Sequence, residues 1–131
     1  MSQINWLEKL GWTEENLEDI RYTGYSYVRQ GKYDIALNFF EALYVLTPQD
    51  VYDAQTLGAI YLQINNPQQA LFHFDRALKL EANHGPTLVN LSKTYFVLGR
   101  KNEGLKICHI LKNNKDQAIA NLAKALILAY G

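Results

Sequence analysis

Tyr27, Tyr61 and Tyr95 stand 34 residues apart, and four further columns keep the same step. These are Gly24, Gly58 and Ser92; Ala36, Ala70 and Gly104; Phe40, Phe74 and Cys108; and Leu43, Ala77 and Leu111. A period of this length predicts a stack of paired antiparallel helices, in which each pair buries its apolar face only against its neighbours. Small residues belong where two helices cross closely, so Gly58 and Ala70 are expected at a tight crossing. Tyr61 then fills the groove beside it, and Phe74 and Ala77 continue the seam.

The breaks obey the same step. Gly31, the Asn65-Asn66-Pro67 turn and Gly99 separate the helices within a pair. Thr47-Pro48, the stretch from Asn83 to Pro86 and Asn113-Asn114 separate one pair from the next. Helices are expected near 5–10, 14–30, 33–46, 51–64, 67–80, 86–98, 101–112 and 116–130. At the second of these, Thr13 is placed to cap and Glu14 and Glu15 favour the first turn, but Asn16 stands where a full capping box has Glu or Gln. The third pair departs most from the pattern, because Gly104 and Cys108 replace a small Ala and an aromatic. An interior glycine costs about 1 kcal/mol of helix propensity, so this helix is expected to be the loosest.

The chain therefore reads as all-α and as a single domain over 1–131. Three helix-turn-helix units fall near 17–50, 51–84 and 85–118, and a capping helix near 116–130 is expected to pack through Ile119, Leu122, Leu126 and Ala129. That last helix carries more apolar surface than one packed face uses, which suggests a second contact.

Composition narrows the function. Thirteen Lys plus Arg balance thirteen Asp plus Glu, so no global field attracts nucleic acid or anionic lipid, and charge repulsion does not hold copies apart. The lone Cys108 forms no internal disulfide, and no signal peptide or membrane-spanning run is apparent. The expected place is the cytoplasm, with no direct membrane insertion.

Chemistry-bearing residues give little support to catalysis. Cys108 sits in a packing column, and His109 beside it faces another way along a helix. His73, His84 and His109 lack metal-ligand spacing and are expected at the surface or groove edge. No phosphate loop or nucleophile elbow is present. No enzyme activity, catalytic residue, metal or cofactor is expected.

The first helix of each pair lines the inner side of such a stack. Positions sharing its exposed stripe are Glu18, Arg21, Tyr25, Val28 and Arg29; then Tyr52, Gln55, Ala59, Leu62 and Gln63; then Pro86, Val89, Lys93, Phe96 and Val97. From this stripe Arg21, Tyr25, Val28, Arg29, Tyr52, Gln55, Leu62, Lys93, Phe96 and Val97 are the candidate partner-binding residues. Apolar anchors with interspersed Arg, Lys and Gln suit a bound peptide or helix better than a phosphate backbone. Tyr22 or Phe39 on an outer face offers a self-association patch.

The motif set resembles the tetratricopeptide repeat, most closely in Leu57-Gly58, Tyr61, Ala70, Phe74 and Ala77. The run from Tyr27 to Leu71 further resembles the small tetratricopeptide chaperones of bacterial type III secretion, through Gly31, Tyr33, Ala36, Phe40, Ala42, Leu43, Val45, Leu46, Leu57, Gly58 and Ala59. That resemblance implies a cytoplasmic chaperone that shields a secreted substrate, either a membrane-inserting translocator or a needle subunit, before export. A homodimer, or a heterodimer with a small co-chaperone, fits the same implication. The alternative is a general tetratricopeptide adaptor for a peptide or folded partner. Its carboxylate clamp would draw on Arg21, Asn90 and Lys93.

Overall fold

The computed structural model describes residues 5–131. Among these residues the order is α1 (Trp6–Leu10), α2 (Glu14–Arg29), α3 (Tyr33–Leu46), α4 (Val51–Gln63), α5 (Pro67–Leu80), α6 (Gly85–Val97), α7 (Lys101–Leu111) and α8 (Gln117–Tyr130), with no strand. Consecutive helices pack as antiparallel neighbours from α2 to α8, and α6 also touches α4 and α8. The short α1 lies against α3.

The three interior turns share one construction. The N–H groups of Lys32, Asn66 and Arg100 donate to the carbonyls of Tyr27, Tyr61 and Tyr95 at 2.9, 2.8 and 2.8 Å. Gly31, Asn65 and Gly99 take the left-handed conformation with φ of 73°, 64° and 76°, as this style of helix ending requires. Asn65 holds without glycine a conformation that a short polar side chain tolerates better than most. At the start of α2, Asn16 Oδ1 accepts from the Thr13 backbone N–H at 2.8 Å, so Asn16 supplies the return arm of the capping box.

The small columns act as receptacles for rings. A Cβ on Gly24 would lie 2.8 Å from the Phe40 ring, and one on Gly58 would lie 2.5 Å from the Phe74 ring. In the third pair the lock is reversed. Ser92 faces a small, buried Cys108, whereas the second-helix Gly104 receives the ring of first-helix Phe96, 2.6 Å from where its Cβ would sit. The packing of α7 therefore differs from that of α3 and α5, since its glycine receives an aromatic ring from the first helix of its own pair.

Two further expectations change. His73 and His84 are buried, not at a surface edge, while His109 is exposed. On α8 the packed side is formed by Ala120 and Ala123 with Ile119, Leu126 and Ile127, and Leu122 and Ala129 face outward. The helix has rotated so that its smallest residues meet α6 and α7.

Candidate functional site: the inner face of the helix array

Helices α2, α4 and α6 carry the predicted stripe, and none of the ten candidate side chains is sealed in the interior. Tyr52 and Val97 are the most open, at 60% and 58% exposure. Arg29 is also exposed, and Arg21, Tyr25, Val28, Gln55, Leu62, Lys93 and Phe96 are half-buried. Val89, expected on the same stripe, is buried against Cys108, Leu111 and Ala123.

Several stripe residues are already committed within the chain. Arg21 donates from Nε to Asp53 Oδ1 at 2.8 Å and from Nη2 to Asp53 Oδ2 at 2.7 Å, with Glu18 at 2.7 Å and Asp50 at 3.7 Å. Asp53 is only 2% exposed and also accepts from the Thr47 hydroxyl at 3.1 Å. Hydrogen bonding to Asp53 holds the Arg21 guanidinium above its ordinary pKa. This bidentate pair joins α2 to α4.

Tyr25 supports the same junction. Its hydroxyl shares a hydrogen bond with Thr56 Oγ1 at 3.0 Å, and its ring meets Phe40 edge-on at 5.0 Å. Burial pushes the Tyr25 pKa up. Next to it, Val28, Tyr33, Thr56, Ala59, Ile60 and Gln63 line a pocket of about 150 Å³ where α2, the start of α3 and α4 meet. Its walls are mainly apolar with hydroxyl and amide groups at the edge, which suits an aliphatic side chain.

Further along, Tyr52 leans edge-on against buried His84 at 5.1 Å, and His84 Nδ1 is 2.7 Å from Thr87 Oγ1. Phe96 stacks on Tyr130 with centroids 4.1 Å apart and planes 4° apart. Tyr130 therefore closes the stripe at the α8 end. Sequence reasoning missed it, although one more 34-residue step from Phe96 reaches it. Asp53 was missed because its partner lies on another unit.

A second aromatic group joins α3, α4 and α5. His73 stacks flat on Tyr61, with centroids 5.6 Å apart, and meets Tyr44 and Phe72 edge-on. Tyr61 donates to the Glu41 carboxylate, and burial with that bond pushes its pKa up to about 12. Burial, with Arg76 alongside, lowers the His73 pKa to about 4.

The pH dependence of folding follows from His73. The unfolded chain takes up a proton on this ring below about 6.5, whereas the folded chain does so only near pH 4. The unfolded state thus binds more protons in between, and stability falls as pH drops through that window. Urea titrations are expected to show about 2 kcal/mol less stability from this group at pH 5 than at pH 7. His73→Phe should flatten that part of the profile; an unchanged slope would refute the assignment.

Among the described residues no group of three His, Cys, Asp or Glu side chains is placed to hold a metal, and no helix is long and apolar enough to cross a membrane. Cys108 is buried and its thiol pKa is raised by burial.

Comparison with known proteins places this architecture. No curated protein matches the sequence. PcrH, a Pseudomonas aeruginosa protein, solved in complex with the chaperone-binding region of PopD, is 22% identical, covering 92% of this chain and 94% of that one with a TM-score of 0.84. The Yersinia enterocolitica type III secretion chaperone SycD, solved with a peptide of the translocator YopD, is 17% identical over 91% and 98% of the chains, TM-score 0.77. The first tetratricopeptide domain of Spaghetti, bound to an HSP90 peptide, is 17% identical over 89% and 94%, TM-score 0.76. At these identities the likeness establishes the fold, the all-α tetratricopeptide array. The model of the family described as anaphase-promoting complex, cyclosome, subunit 3 matches residues 29–109, well over half of the chain, and the protein is a member of that tetratricopeptide-type family.

Proposed function

We propose that this protein is a cytoplasmic chaperone of the type III secretion class, which holds an apolar segment of a translocator or needle subunit along its inner face before export. The observation that carries the reading is an accessible, mostly uncharged stripe running from Tyr25 to Val97 across three helix pairs. Structural likeness to PcrH with its PopD segment and to SycD with its YopD peptide supports it. The chain is read as one domain, with units at 17–50, 51–84 and 85–118 and a cap at 116–130.

In this reading Val28, Tyr52, Leu62, Phe96 and Val97 shield the client, while Arg29, Gln55 and Lys93 satisfy its polar groups. Arg21 and Tyr25 contribute mainly by fixing the α2–α4 junction, because their polar atoms are engaged there. Binding needs no covalent step, catalyst or cofactor. Burial of aromatic anchors supplies several kcal/mol before ordering costs.

The adaptor reading draws on the likeness to Spaghetti with its HSP90 peptide. Its clamp is weakened here, since Arg21 is occupied by Asp53 and only Asn90 and Lys93 remain.

The test is affinity purification of the full chain from secretion-competent cells, beside a Tyr52→Glu/Val97→Glu variant. Both sites are open enough to accept charge without unfolding, which circular dichroism checks. Recovery of a secreted substrate with the parent, reduced at least tenfold in the variant, is expected. Equal recovery from the variant sinks the groove assignment, and capture of only folded cytosolic partners favours the adaptor.

A further inference from the structure

Arg76 is a half-buried arginine with no carboxylate within ion-pair distance among the described residues. Arg21 has Asp53 and Arg100 has Glu103, whereas none of the ion pairs among the described residues includes Arg76. Its guanidinium carbon lies 4.1 Å from the Tyr44 ring centre. Nη1 donates to the Pro48 carbonyl at 3.0 Å, and Nε and Nη2 approach His73 Nδ1 at 3.4 and 3.3 Å. These contacts leave part of a five-donor fork without an acceptor. Burial also lowers the Arg76 pKa, because the lost hydration outweighs the more distant pull of the Asp53 and Glu41 carboxylates.

An open apolar ring lies beside it. Phe72, 52% exposed, stands one helical turn before Arg76 on α5 and meets His73 edge-on at 5.0 Å. Arginine with tyrosine and phenylalanine in a partly desolvated setting is the composition of an interface hot spot. The inner stripe lies on α2, α4 and α6, so this α3–α5 surface stays available when the stripe is filled.

We propose that the α3–α5 face around Arg76 and Phe72 is a second docking surface, which takes a protein segment carrying a carboxylate beside an apolar side chain. The carboxylate meets the free edge of the Arg76 fork, and the apolar side chain covers Phe72. Charge selects this occupant. A carboxylate offers two acceptors to the planar fork and brings a single negative charge, whereas a phosphate dianion would be repelled more strongly by the Glu41 carboxylate on the same face. Apolar contact alone would leave the guanidinium uncompensated.

The experiment titrates the full chain with a capped Glu-Phe-Glu peptide and follows the Arg76 side-chain N–H and the Phe72 and Tyr44 ring resonances by NMR. Saturable shifts are expected, with affinity at least about fivefold lower for the Gln-Phe-Gln peptide. Phe72→Ala, at an exposed site, should weaken binding while leaving the fold intact. Arg76→Gln should abolish it, and Arg76→Lys should keep a fraction. Equal affinity for the two peptides overturns the proposal, as does inorganic phosphate binding as tightly as the acidic peptide. Shifts confined to Tyr52 and Val97 overturn it as well and assign the peptide to the inner face.

Discussion

Arg21→Met is expected to destabilise the protein by about 3–5 kcal/mol, because it strands the Asp53 carboxylate in an interior with little water. Asp53 is 2% exposed, and its two oxygens receive the Arg21 fork at 2.8 and 2.7 Å. Only the Thr47 hydroxyl would remain as a side-chain donor to it. Asp53→Leu alone should cost less, since Arg21 keeps Glu18 and Asp50 at its solvent side. The double variant is expected to recover to within about 1 kcal/mol of the parent, as paired replacement of buried ions commonly does. Urea unfolding of the four proteins measures the cycle. Additive losses would show that the two side chains act independently, and the pair would then not be the tie between α2 and α4.

This result also separates structure from binding. If Arg21 served the partner mainly by contact, Arg21→Met/Asp53→Leu would fold yet lose client affinity as fully as Tyr52→Glu/Val97→Glu. A role in joining α2 to α4 predicts a smaller loss, confined to segments that span the first two units.

The parts of this fold legible in the sequence are those set by side-chain volume at fixed spacing. Gly58 against Phe74, and the left-handed positions at Gly31, Asn65 and Gly99, each follow from one helix pair and recur with the step. What escaped depends on the rotation between pairs. The burial of Val89 and the commitment of Arg21 to a carboxylate 32 residues away are set by how one unit seats on the next. His73 escaped for a related reason. With Ala70, Phe74 and Ala77 it stands on the packed stripe of α5, but a polar ring there is enclosed only by the approach of Tyr44 and Tyr61 from other helices. The inner stripe was legible as a row of positions, while the division between free and committed members was not.

The reversed lock in the third unit gives the last expectation. Gly58→Ala places a methyl 2.5 Å from the ring of Phe74, which is fully buried and has no room to swing. Overpacking of this kind costs about 1–3 kcal/mol, more than the roughly 1 kcal/mol that alanine returns in helix propensity. A net loss of about 1–2 kcal/mol is expected, toward the upper end because Phe74 cannot move, and it should be relieved in a Gly58→Ala/Phe74→Leu double variant. Gly104→Ala meets a different neighbour, since Phe96 is half-exposed and stacked only on Tyr130 near the end of α8. Its ring can yield toward the inner face, so the fold should lose less than about 1 kcal/mol while the Phe96–Tyr130 wall is displaced. Stability would then separate the two glycines, and client affinity would separate them in the opposite sense. Equal stability costs for Gly58→Ala and Gly104→Ala would mean that Phe96 is held as rigidly as Phe74, and that the third unit presents a fixed floor to its client instead of an adjustable one.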